Sequence, residues 1–572
     1  MSEDLSLATL TIMAASKIIL ALGLLALVWF FRQRRHPIYF TAVAASMIGS
    51  FTLMILWPLQ KMWWGNNGDE MFVGAYFTQI IQGSMWQDYY YHWLPPFYPP
   101  LYFWSFGMIG RLLALSSITT AKLGIMASVV GIFIVPIIFY RSYRLLAEER
   151  ADEIASSPWY WLVVPVLFIG LIDFDTVLVK PYEVLPALLS VLWLGIFANA
   201  IMKSRWRTYD YLWFGLSGGI LFLWFYFWWF ILAPVVLLLA VSAKKRSALW
   251  RAFGALAMIG AVSLPYTAPL IVSFWRFGIE SWQASYFVPT DFSTFTPWVT
   301  LSWRLPWLVG GLFTLVWFWQ RPFMRGLAIG LICAYLYQLV NIVIFLTGGS
   351  PAQSAKPFLF FGTAILAAAA GYGLIALNNN LSNRFFSQSL TKLGLVVALL
   401  FLPLTPFIRF IDDPVIWRQI DIDRKASPAK ELSESIAKAA PQYSEIVWLT
   451  SGAPELNLYL PLNYYIAYNP HFSHPAVGYS SRLKLIGQLS QANSVDEFQK
   501  LIDAAEPPIT GLLLYFDRAN QTYPIFFWQD NFPNGGKESR FDIKPAVIGT
   551  AYWREVSHQD DWHLFVRNEP IN

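Results

Sequence analysis

The sequence predicts a polytopic α-helical membrane protein with a small water-soluble α/β domain at its C-terminal end. Of its 572 residues, 56% are hydrophobic and only 13% are charged, whereas about a quarter of an average soluble protein is charged. Long apolar segments recur through the first part of the chain. The density and the sign of the charge differ between two parts of the chain. Residues 1–410 carry 26 Lys or Arg and 15 Asp or Glu, whereas the shorter segment 411–572 carries 14 Lys or Arg and 20 Asp or Glu. This step predicts a membrane domain, 1–410, and an extracytoplasmic soluble domain, 411–572.

Apolar segments of about 15 to 25 residues predict the membrane-spanning helices. We expect about 13 spans, near residues 8–31, 38–60, 98–140 (one or more crossings), 158–172, 183–202, 209–225, 227–243, 248–273, 306–319, 326–346, 358–377 and 391–410. The first segment follows Glu3 and Asp4 and is too long for a signal-peptide core, so we interpret it as a retained span.

Basic clusters predict the orientation, because Lys and Arg concentrate in cytoplasmic loops. With the N-terminus outside, one face receives the clusters at 32–36, 203–207, 244–246 and 321–325. The loops 61–97, 276–305 and 347–357, and everything after residue 410, then face outward. Placing 141–157 inside requires an odd number of crossings in 98–140, although that segment divides most naturally into two. A cytoplasmic placement of 141–157 also makes the loop Asp173 to Tyr182 external.

The C-terminal part has the local patterns of an α/β domain. Ser427-Pro428 and the capping-box spacing of Ser494 and Glu497 predict helix starts. Short apolar segments predict buried strands at 445–449, 511–516 and 562–566.

Composition also excludes several functions. The single cysteine, Cys333, lies in an apolar segment, so it forms no intrachain disulfide and no cysteine metal cluster. The net charge of +5 is explained by cytoplasmic loops and gives no reason to expect a nucleic-acid partner. Membrane lipids are the expected surroundings.

The first external loop, 61–97, has the most informative residues. Asp69 and Glu70 are adjacent carboxylates just past a predicted span, and such a pair suits a general base or a cation ligand. The alternative is a solvated loop in which Asn67 or Asp69 caps a helix and the many Trp and Tyr residues anchor the interface.

Two more polar segments lie within the apolar part, where an ionisable group costs roughly 2.5 to 3.5 kcal/mol to insert. The first contains Asp173, Asp175, Lys180 and Glu183, of which Lys180 and Glu183 form either a functional pair or a structural pair at a helix end. In the second, Lys356 with Arg276 and Arg304 forms either a cationic pocket for a lipid phosphate or a set of snorkelling side chains.

Several strings resemble one family of membrane glycosyltransferases. They are Asn67-Gly-Asp69, Leu94-Pro-Pro-Phe-Tyr-Pro-Pro100, Lys180-Pro-Tyr-Glu183, His471-Phe-Ser-His-Pro475 with Arg482, and the segment from Phe541-Asp542 to Val566-Arg567. With the Asp-bearing first external loop, the many spans and the external C-terminal domain, they resemble the GT-C glycosyltransferases, and among these the galactan arabinofuranosyltransferases of the mycobacterial cell wall. The resemblance runs from about residue 60 to the C-terminus.

The resemblance implies transfer of D-arabinofuranose from a polyprenyl-phosphoryl-arabinose donor to a galactan-like glycan of the cell envelope. The reaction would take place at the outer face of a bacterial plasma membrane. An inverting displacement needs one carboxylate as base on the acceptor side, and cations to hold the departing lipid phosphate. Asp69 suits the base, with Glu70 as its neighbour or substitute.

The remaining candidates fall into two groups. Residues for the donor phosphate are Lys180, Lys356, Arg304 and His92, and further substrate-binding residues from the resembling strings are Glu183, Tyr98, His471 and His474. The tail offers aromatic side chains to an acceptor glycan, with roles in the core as the alternative, at Trp448, Tyr464, Tyr465, Tyr468 and Trp553. No cofactor is specified. Metal dependence is open, since Asp69 and Glu70 with a substrate phosphate would suit one divalent cation.

Two other functions fit parts of these observations. A GT-C transferase of another sugar, such as mannose or aminoarabinose, acting on lipid or protein would differ only in its pocket contacts. A transporter or flippase of lipid-linked sugars would also need many spans with intramembrane charges. Such proteins often contain internal repeats, and the sequence shows none.

Overall fold

The computed structural model describes residues 5–32, 36–147, 152–203, 205–280, 303–347, 357–384, 410–530 and 536–568. These residues form two compact units that are each discontinuous in sequence. The helical unit comprises Met1–Leu59, Lys122–Pro265 and Pro289–Arg424, and the mixed unit comprises Gln60–Ala121, Tyr266–Val288 and Lys425–Asn572. Since the units follow packing and not a membrane boundary, the predicted division at residue 410 stays a prediction.

Helices dominate both units among the described residues. Their bounds are α1 (Leu7–Arg32), α2 (Pro37–Leu56), α3 (Asp69–Gln82), α4 (Pro100–Leu112), α5 (Ser117–Ala147), α6 (Pro158–Ile172), α7 (Phe174–Val179), α8 (Pro181–Ala200), α9 (Thr208–Trp224), α10 (Trp229–Ser242), α11 (Arg246–Phe277), α12 (Leu305–Trp317), α13 (Pro322–Leu346), α14 (Thr363–Arg384), α15 (Pro414–Asp423), α16 (Pro428–Ala439), α17 (Tyr479–Gln491) and α18 (Val495–Asp503). A π-helical turn, Pro357–Gly362, precedes α14.

Seven helices within the described ranges are long and apolar enough to cross a membrane, namely α1, α2, α5, α8, α11, α13 and α14 with its preceding turn. The bent pair α9 and α10 makes an eighth if it is one span, and α6 and α12 are shorter apolar helices. Each predicted span that falls in the described part of the chain coincides with one of these helices. The predicted segment 391–410 lies almost wholly outside it, so the total of about 13 spans is not confirmed. The helical class with a C-terminal sheet domain is confirmed.

The ambiguous segment 98–140 contains one candidate span. Helix α4 ends at Leu112, and the chain passes through Ala114, whose φ is 50°, before α5 begins at Ser117. Only α5 is long enough to cross. A single candidate span agrees with the odd number of crossings that the basic clusters require, because the first part of the apolar segment forms α4 in the mixed unit.

Helices α9 and α10 meet at a bend of 117°. The Arg251 guanidinium at the start of α11 donates to the carbonyl oxygens of Ile201 at 3.3 Å and Lys203 at 2.7 Å. The chain therefore enters α9 and leaves α10 at the same end, so the pair forms a V with arms of roughly 20 to 25 Å. The predicted basic clusters at 203–207 and 244–246 accordingly share one end of the helical unit.

A second contact joins two further loops that were predicted to be cytoplasmic. Arg321 Nε lies 4.0 Å from the Asp152 carboxylate, which also accepts hydrogen bonds from the Tyr372 hydroxyl at 2.8 and 2.9 Å. Asp152 belongs to the 141–157 loop and Arg321 to the 321–325 cluster. Their contact agrees with the predicted common side of these loops.

Helix α8 forms the centre of the helical unit. Its whole span is buried within the protein, and small residues allow α13 to approach it closely. A Cβ added at Gly195 would lie 2.4 Å from the Phe323 ring, and one at Gly326 would lie 2.4 Å from the Ala198 side chain. Close backbone approach at small residues is a main source of helix association in membranes.

The mixed unit contains a five-stranded sheet in the order β2-β1-β3-β7-β6, and a separate hairpin of β4 and β5. The strand bounds are β1 (Val447–Thr450), β2 (Asn463–Tyr464), β3 (Gly511–Tyr515), β4 (Tyr523–Asp530), β5 (Gly536–Ile543), β6 (Trp553–Gln559) and β7 (Trp562–Arg567). Strands β2, β1 and β3 run parallel, and β7 pairs antiparallel with both β3 and β6. All three predicted strands are present.

Two predicted helix starts in this unit are also confirmed. The Ser427 hydroxyl accepts from the amide of Ala429 at 3.2 Å at the start of α16. At the start of α18 the Ser494 hydroxyl accepts from the amide of Glu497 at 3.2 Å. These caps satisfy amides that the first helical turn leaves without a backbone partner.

The loop 61–97, which was predicted to be external, packs against the C-terminal part within the mixed unit. The Thr78 hydroxyl of α3 donates to the carbonyl of Leu458 at 2.9 Å, and the Tyr89 hydroxyl donates to that of Phe472 at 2.8 Å. The amide of Tyr464 on β2 donates to the carbonyl of Tyr90 at 2.8 Å. The loop thus adds to the side of the sheet that ends in β2, as the predicted common side of loop and tail requires.

Candidate functional site

A turn with left-handed residues places Asp69 at the start of α3. Gly65, Asn66 and Gly68 have φ values of 70°, 68° and 57°, which a glycine adopts without strain. The helix begins directly after Gly68, so Asp69 is its first residue and is half-buried. The N-terminus of a helix favours negative charge. Asp69 therefore presents a carboxylate at a position that supports its ionised form.

Glu70 holds the turn together. Its side chain is 3% exposed, and its two carboxylate oxygens accept hydrogen bonds from the amides of Trp64 at 2.7 Å and Asn66 at 3.0 Å. The Asn66 side-chain oxygen in turn accepts from the amide of Met62 at 2.9 Å. The carboxylate that was predicted as a neighbour or substitute for the base is thus occupied by backbone amides.

Three of the resembling strings meet around α3. The ring of Phe72, one turn into the helix, lies 4.7 Å from the ring of Tyr98 and 5.2 Å from that of Phe472. Tyr98 belongs to the Pro-Pro-Phe-Tyr-Pro-Pro string and Phe472 to the His-Phe-Ser-His-Pro string. Tyr98 is buried, so it supports the base of α3.

The two histidines of the C-terminal string differ in their surroundings. His474 is 1% exposed, its Nδ1 accepts from the amide of Ala476 at 3.0 Å, and its ring packs against Phe97 and Phe274 at 5.7 and 6.0 Å. Burial lowers the pKa of His474 to about 3, so this ring is neutral and helps to pack the loop. His471 is half-buried and is the central residue of the short helical turn Pro470–Phe472.

His92 links the first loop to the tail. Its backbone amide donates to the Asn463 side chain at 3.1 Å, and its Nδ1 lies 3.1 Å from the carbonyl of Ser444. Burial lowers the pKa of His92 to about 4. Burial thus disfavours the charged form of this ring, and its contact with the donor phosphate stays a prediction.

The remaining predicted cations belong to the helical unit. Arg304 forms an ion pair with Asp173, which joins the two loops predicted to be external at 173–182 and 276–305. Lys180 is half-buried and immediately precedes α8, and Glu183 is fully buried in the first turn of that helix. Lys356 lies outside the described residues. Asp69 and Lys180 thus belong to different units.

Asp88 is a carboxylate that the sequence-based reasoning passed over. It is 1% exposed and accepts from the amides of Tyr90 at 3.0 Å and Tyr91 at 3.1 Å. Burial is the largest influence and raises the pKa of Asp88 to about 7. The available sequence signal was an Asp followed by an aromatic run, since Asp favours turns in which its side chain binds the next amides.

Arg482 is a buried cation to which the sequence pointed only through the family resemblance. Its guanidinium donates to the carbonyl oxygens of Val477 at 2.8 Å, Glu506 at 2.6 Å and Tyr465. It also lies over the rings of Tyr465 and Trp93, 4.6 and 5.0 Å from their centroids. This buried cation ties the first loop to α17.

Among the described residues, one group has the composition of a metal site: Glu555, His558 and His563. The rings of His558 and His563 are stacked with centroids 4.1 Å apart, and His563 Nδ1 lies 2.8 Å from a Glu555 oxygen. Imidazole lone pairs lie in the ring plane, so stacked rings do not direct them to one point. The arrangement is an aromatic and hydrogen-bonding contact of the β6–β7 hairpin.

Comparison with known proteins agrees with the resemblance seen in the sequence. Residues 4–157 match the family model described as arabinofuranosyltransferase N terminal. The galactan 5-O-arabinofuranosyltransferase of Mycobacterium tuberculosis is 23% identical over 577 residues, which cover 92% of this chain and 84% of that protein. That of Mycolicibacterium smegmatis is 23% identical over 569 residues, 92% of this chain and 86% of that protein. The similarity to galactan arabinofuranosyltransferases thus extends over most of the chain.

Two solved structures are similar at lower identity. ArnT from Cupriavidus metallidurans in the apo state gives a TM-score of 0.48 at 13% identity, covering 92% of this chain and 97% of that one. The arabinofuranosyltransferase AftD from Mycobacteria gives 0.46 at 11% identity, covering 94% of this chain and 40% of that one.

Proposed function

We propose that this protein transfers D-arabinofuranose from a polyprenyl-phosphate-linked donor to a galactan-like glycan of the cell envelope, with inversion at the anomeric carbon. The observation that supports this most directly is the half-buried Asp69 at the N-terminus of α3, in a turn fixed by Glu70. The relatives named galactan 5-O-arabinofuranosyltransferase supply the sugar and the acceptor class, since the similarity covers 92% of the chain.

In this proposal Asp69 is the general base. Its carboxylate takes the proton of an acceptor hydroxyl while the hydroxyl oxygen bonds to the anomeric carbon of arabinose. The bond between that carbon and the phosphate oxygen breaks, and polyprenyl phosphate leaves with the electron pair. A single displacement of this kind inverts the anomeric centre and needs one carboxylate on the acceptor side.

Glu70 is a positioning residue in this scheme. Because both its oxygens accept amide hydrogen bonds, it fixes residues 64–70 and so the direction of the Asp69 side chain. Charge-assisted hydrogen bonds of this type are among the stronger ones in proteins. No step of the proposal requires a metal ion.

Cations hold the departing phosphate. We assign this role to Lys180, with Lys356 as a second candidate. Arg304 contributes through its ion pair with Asp173, which fixes the loop that carries Lys180. Glu183, buried in the first turn of α8, stays a predicted substrate-binding residue. His92 stays a lower-ranked candidate for this set, since burial lowers the pKa of its ring to about 4 and so disfavours the charged form.

The proposed location is the outer face of a bacterial plasma membrane, with membrane lipids around the helical unit. The warrant is the distribution of basic clusters, which places residues 61–97 and everything after 410 outside. A reporter that works only in the cytoplasm, fused after Asn572, should be inactive. An active fusion would reverse the topology and contradict an external site.

The decisive experiment is direct transfer by the purified protein in lipid nanodiscs. The donor is radiolabelled polyprenyl-phosphoryl-arabinose, and the acceptors are short galactofuranose, arabinofuranose and peptide compounds. We expect labelled arabinose on the galactofuranose acceptor only. Transfer to another acceptor would change the acceptor class, and no transfer to any acceptor would contradict the proposed reaction.

A further inference from the structure

A cavity of about 490 Å³ opens within the mixed unit beside the start of α3. Its wall includes Asn67 and Met71, which lie two residues before and two residues after Asp69. The wall therefore passes within roughly one helical turn, about 5 Å, of the Asp69 backbone. Volumes of several hundred cubic ångströms are typical of small-molecule sites.

The C-terminal part supplies the rest of the cavity wall. Glu431 comes from α16, Glu455 from the turn that follows β1, and Asp560 and Trp562 from the β6–β7 hairpin. The Ser427 hydroxyl, at the cap of α16, donates to Glu455, so this carboxylate is held in place without a ligand. Structural elements that are distant in sequence thus meet at the cavity.

The chemistry of the wall selects a neutral polyhydroxyl ligand. Glu431, Glu455 and Asp560 are acceptors for hydroxyl groups, and the rings of Tyr468 and Trp562 offer apolar faces to the C–H groups of a sugar. Among the described residues that line the cavity, none is Lys, Arg or His. Three carboxylates without a cation repel an anionic phosphate, so this wall does not suit the lipid-phosphate donor.

We propose that this cavity is the acceptor subsite, which binds a segment of the galactan chain and directs its terminal hydroxyl toward Asp69. The inference rests on the proposed transfer reaction and names where its acceptor binds. It also assigns a function to Tyr468, the half-buried member of the tail aromatics predicted from the sequence. The other four, Trp448, Tyr464, Tyr465 and Trp553, are buried in the core.

The test uses two variants of the cavity, each with a matched control. Glu431→Gln removes a charge from the wall, and Glu434→Gln removes an exposed charge one turn further along α16. Trp562→Ala removes an aromatic face, and Tyr552→Ala removes a ring that is 37% exposed and does not line the cavity. The full-length protein in nanodiscs is titrated calorimetrically with a short galactan oligosaccharide.

We expect each cavity variant to raise the Kd for the oligosaccharide about tenfold, as loss of one charge-assisted hydrogen bond or one stacking face does, and each control to match the wild type. In transfer assays the same variants should raise KM for the oligosaccharide and leave KM for the donor unchanged.

The possible results distinguish a failure of the proposed acceptor subsite from a failure of the proposed transfer reaction. If the wild type transfers arabinose but the cavity variants bind and react like their controls, the subsite is overturned and the reaction stands. If the wild type binds the oligosaccharide through Glu431 and Trp562 but transfers nothing, the subsite stands and the reaction fails. A wild type that does not bind the oligosaccharide also overturns the subsite.

Discussion

The starts of helices α3 and α8 present side chains of opposite charge. Asn66, with a φ of 68°, lies in the turn before α3, whereas Asp173, with a φ of 84°, precedes α7, which separates it from α8. Both α3 and α8 contain a buried glutamate in the first helical turn, Glu70 and Glu183. The half-buried residue beside the helix start is Asp69 in the mixed unit and Lys180 in the helical unit. Two helix starts thus present a carboxylate in one unit and a cation in the other.

This difference suggests how the proposed chemistry is divided. Base catalysis needs a carboxylate that keeps access to the acceptor, and phosphate departure needs a cation close to the lipid. Glu70 fixes the turn before α3 through two amide hydrogen bonds. In the proposed reaction the neighbouring Asp69 is the base, and Lys180 binds the phosphate. The following predictions test each part of this comparison.

The largest effect is expected for Asp69→Asn. The amide keeps the shape of the side chain but takes no proton, so turnover should fall by about 10² to 10⁴ with little change in acceptor Kd. Single-turnover kinetics and oligosaccharide titration measure the two quantities. Near wild-type turnover would place the base elsewhere, with Glu183 or Asp175 as the next candidates, or would show that the protein is not a transferase of this kind.

Lys180→Met should give the next largest loss. A charge-assisted contact to a phosphate contributes about 1.5 to 3 kcal/mol, so donor kcat/KM should fall roughly tenfold to a hundredfold. Lys356→Met should lower donor kcat/KM by a similar factor if that side chain also contacts the donor phosphate. Lys17→Met is a matched control, since Lys17 pairs with Asp412 in the same unit. Equal kinetics for all three variants would leave Lys180 and Lys356 with structural or snorkelling roles.

Glu70→Gln tests the positioning role. The amide group of Gln places an N–H against the amide of Trp64 or Asn66, at a cost of about 1 to 3 kcal/mol. We expect a lower Tm, faster hydrogen exchange in residues 62–70, and a loss of turnover of about tenfold that is smaller than for Asp69→Asn. If Glu70→Gln lost as much turnover as Asp69→Asn while its Tm stayed unchanged, Glu70 would take a direct part in the reaction.

Asp88→Asn should produce the smallest effect, on the pH dependence of stability. Burial raises the pKa of Asp88 in the folded protein to about 7, well above its ordinary value of 3.8, so between these values the folded protein retains a proton that the unfolded chain releases. Stability is then lost as the pH rises through this window, and the variant removes that loss. Tm should therefore fall less between about pH 5 and pH 8 in Asp88→Asn than in the wild type or in an exposed control, Asp496→Asn. Identical slopes would show that Asp88 does not titrate in this range.

The sequence by itself determined the class of the molecule and most of its local elements. Apolar length predicted the helices, Ser427 and Ser494 predicted helix starts, and three short apolar segments predicted strands. These features depend on near neighbours in the chain, namely side-chain periodicity and capping hydrogen bonds. The resemblance of the Asn-Gly-Asp and His-Phe-Ser-His-Pro strings was likewise readable without a structure.

Only the tertiary structure decided which polar side chains are available for chemistry. Glu70 and Asp69 are adjacent and equally acidic in sequence, yet one is enclosed by two amides and the other stays half-buried. Burial lowers the pKa of His92 and of His474, and it raises that of Asp88. The cavity that we assign to the acceptor draws its wall from α3, α16 and the β6–β7 hairpin. Desolvation and cavity shape arise from contacts between segments hundreds of residues apart, which local sequence patterns do not encode.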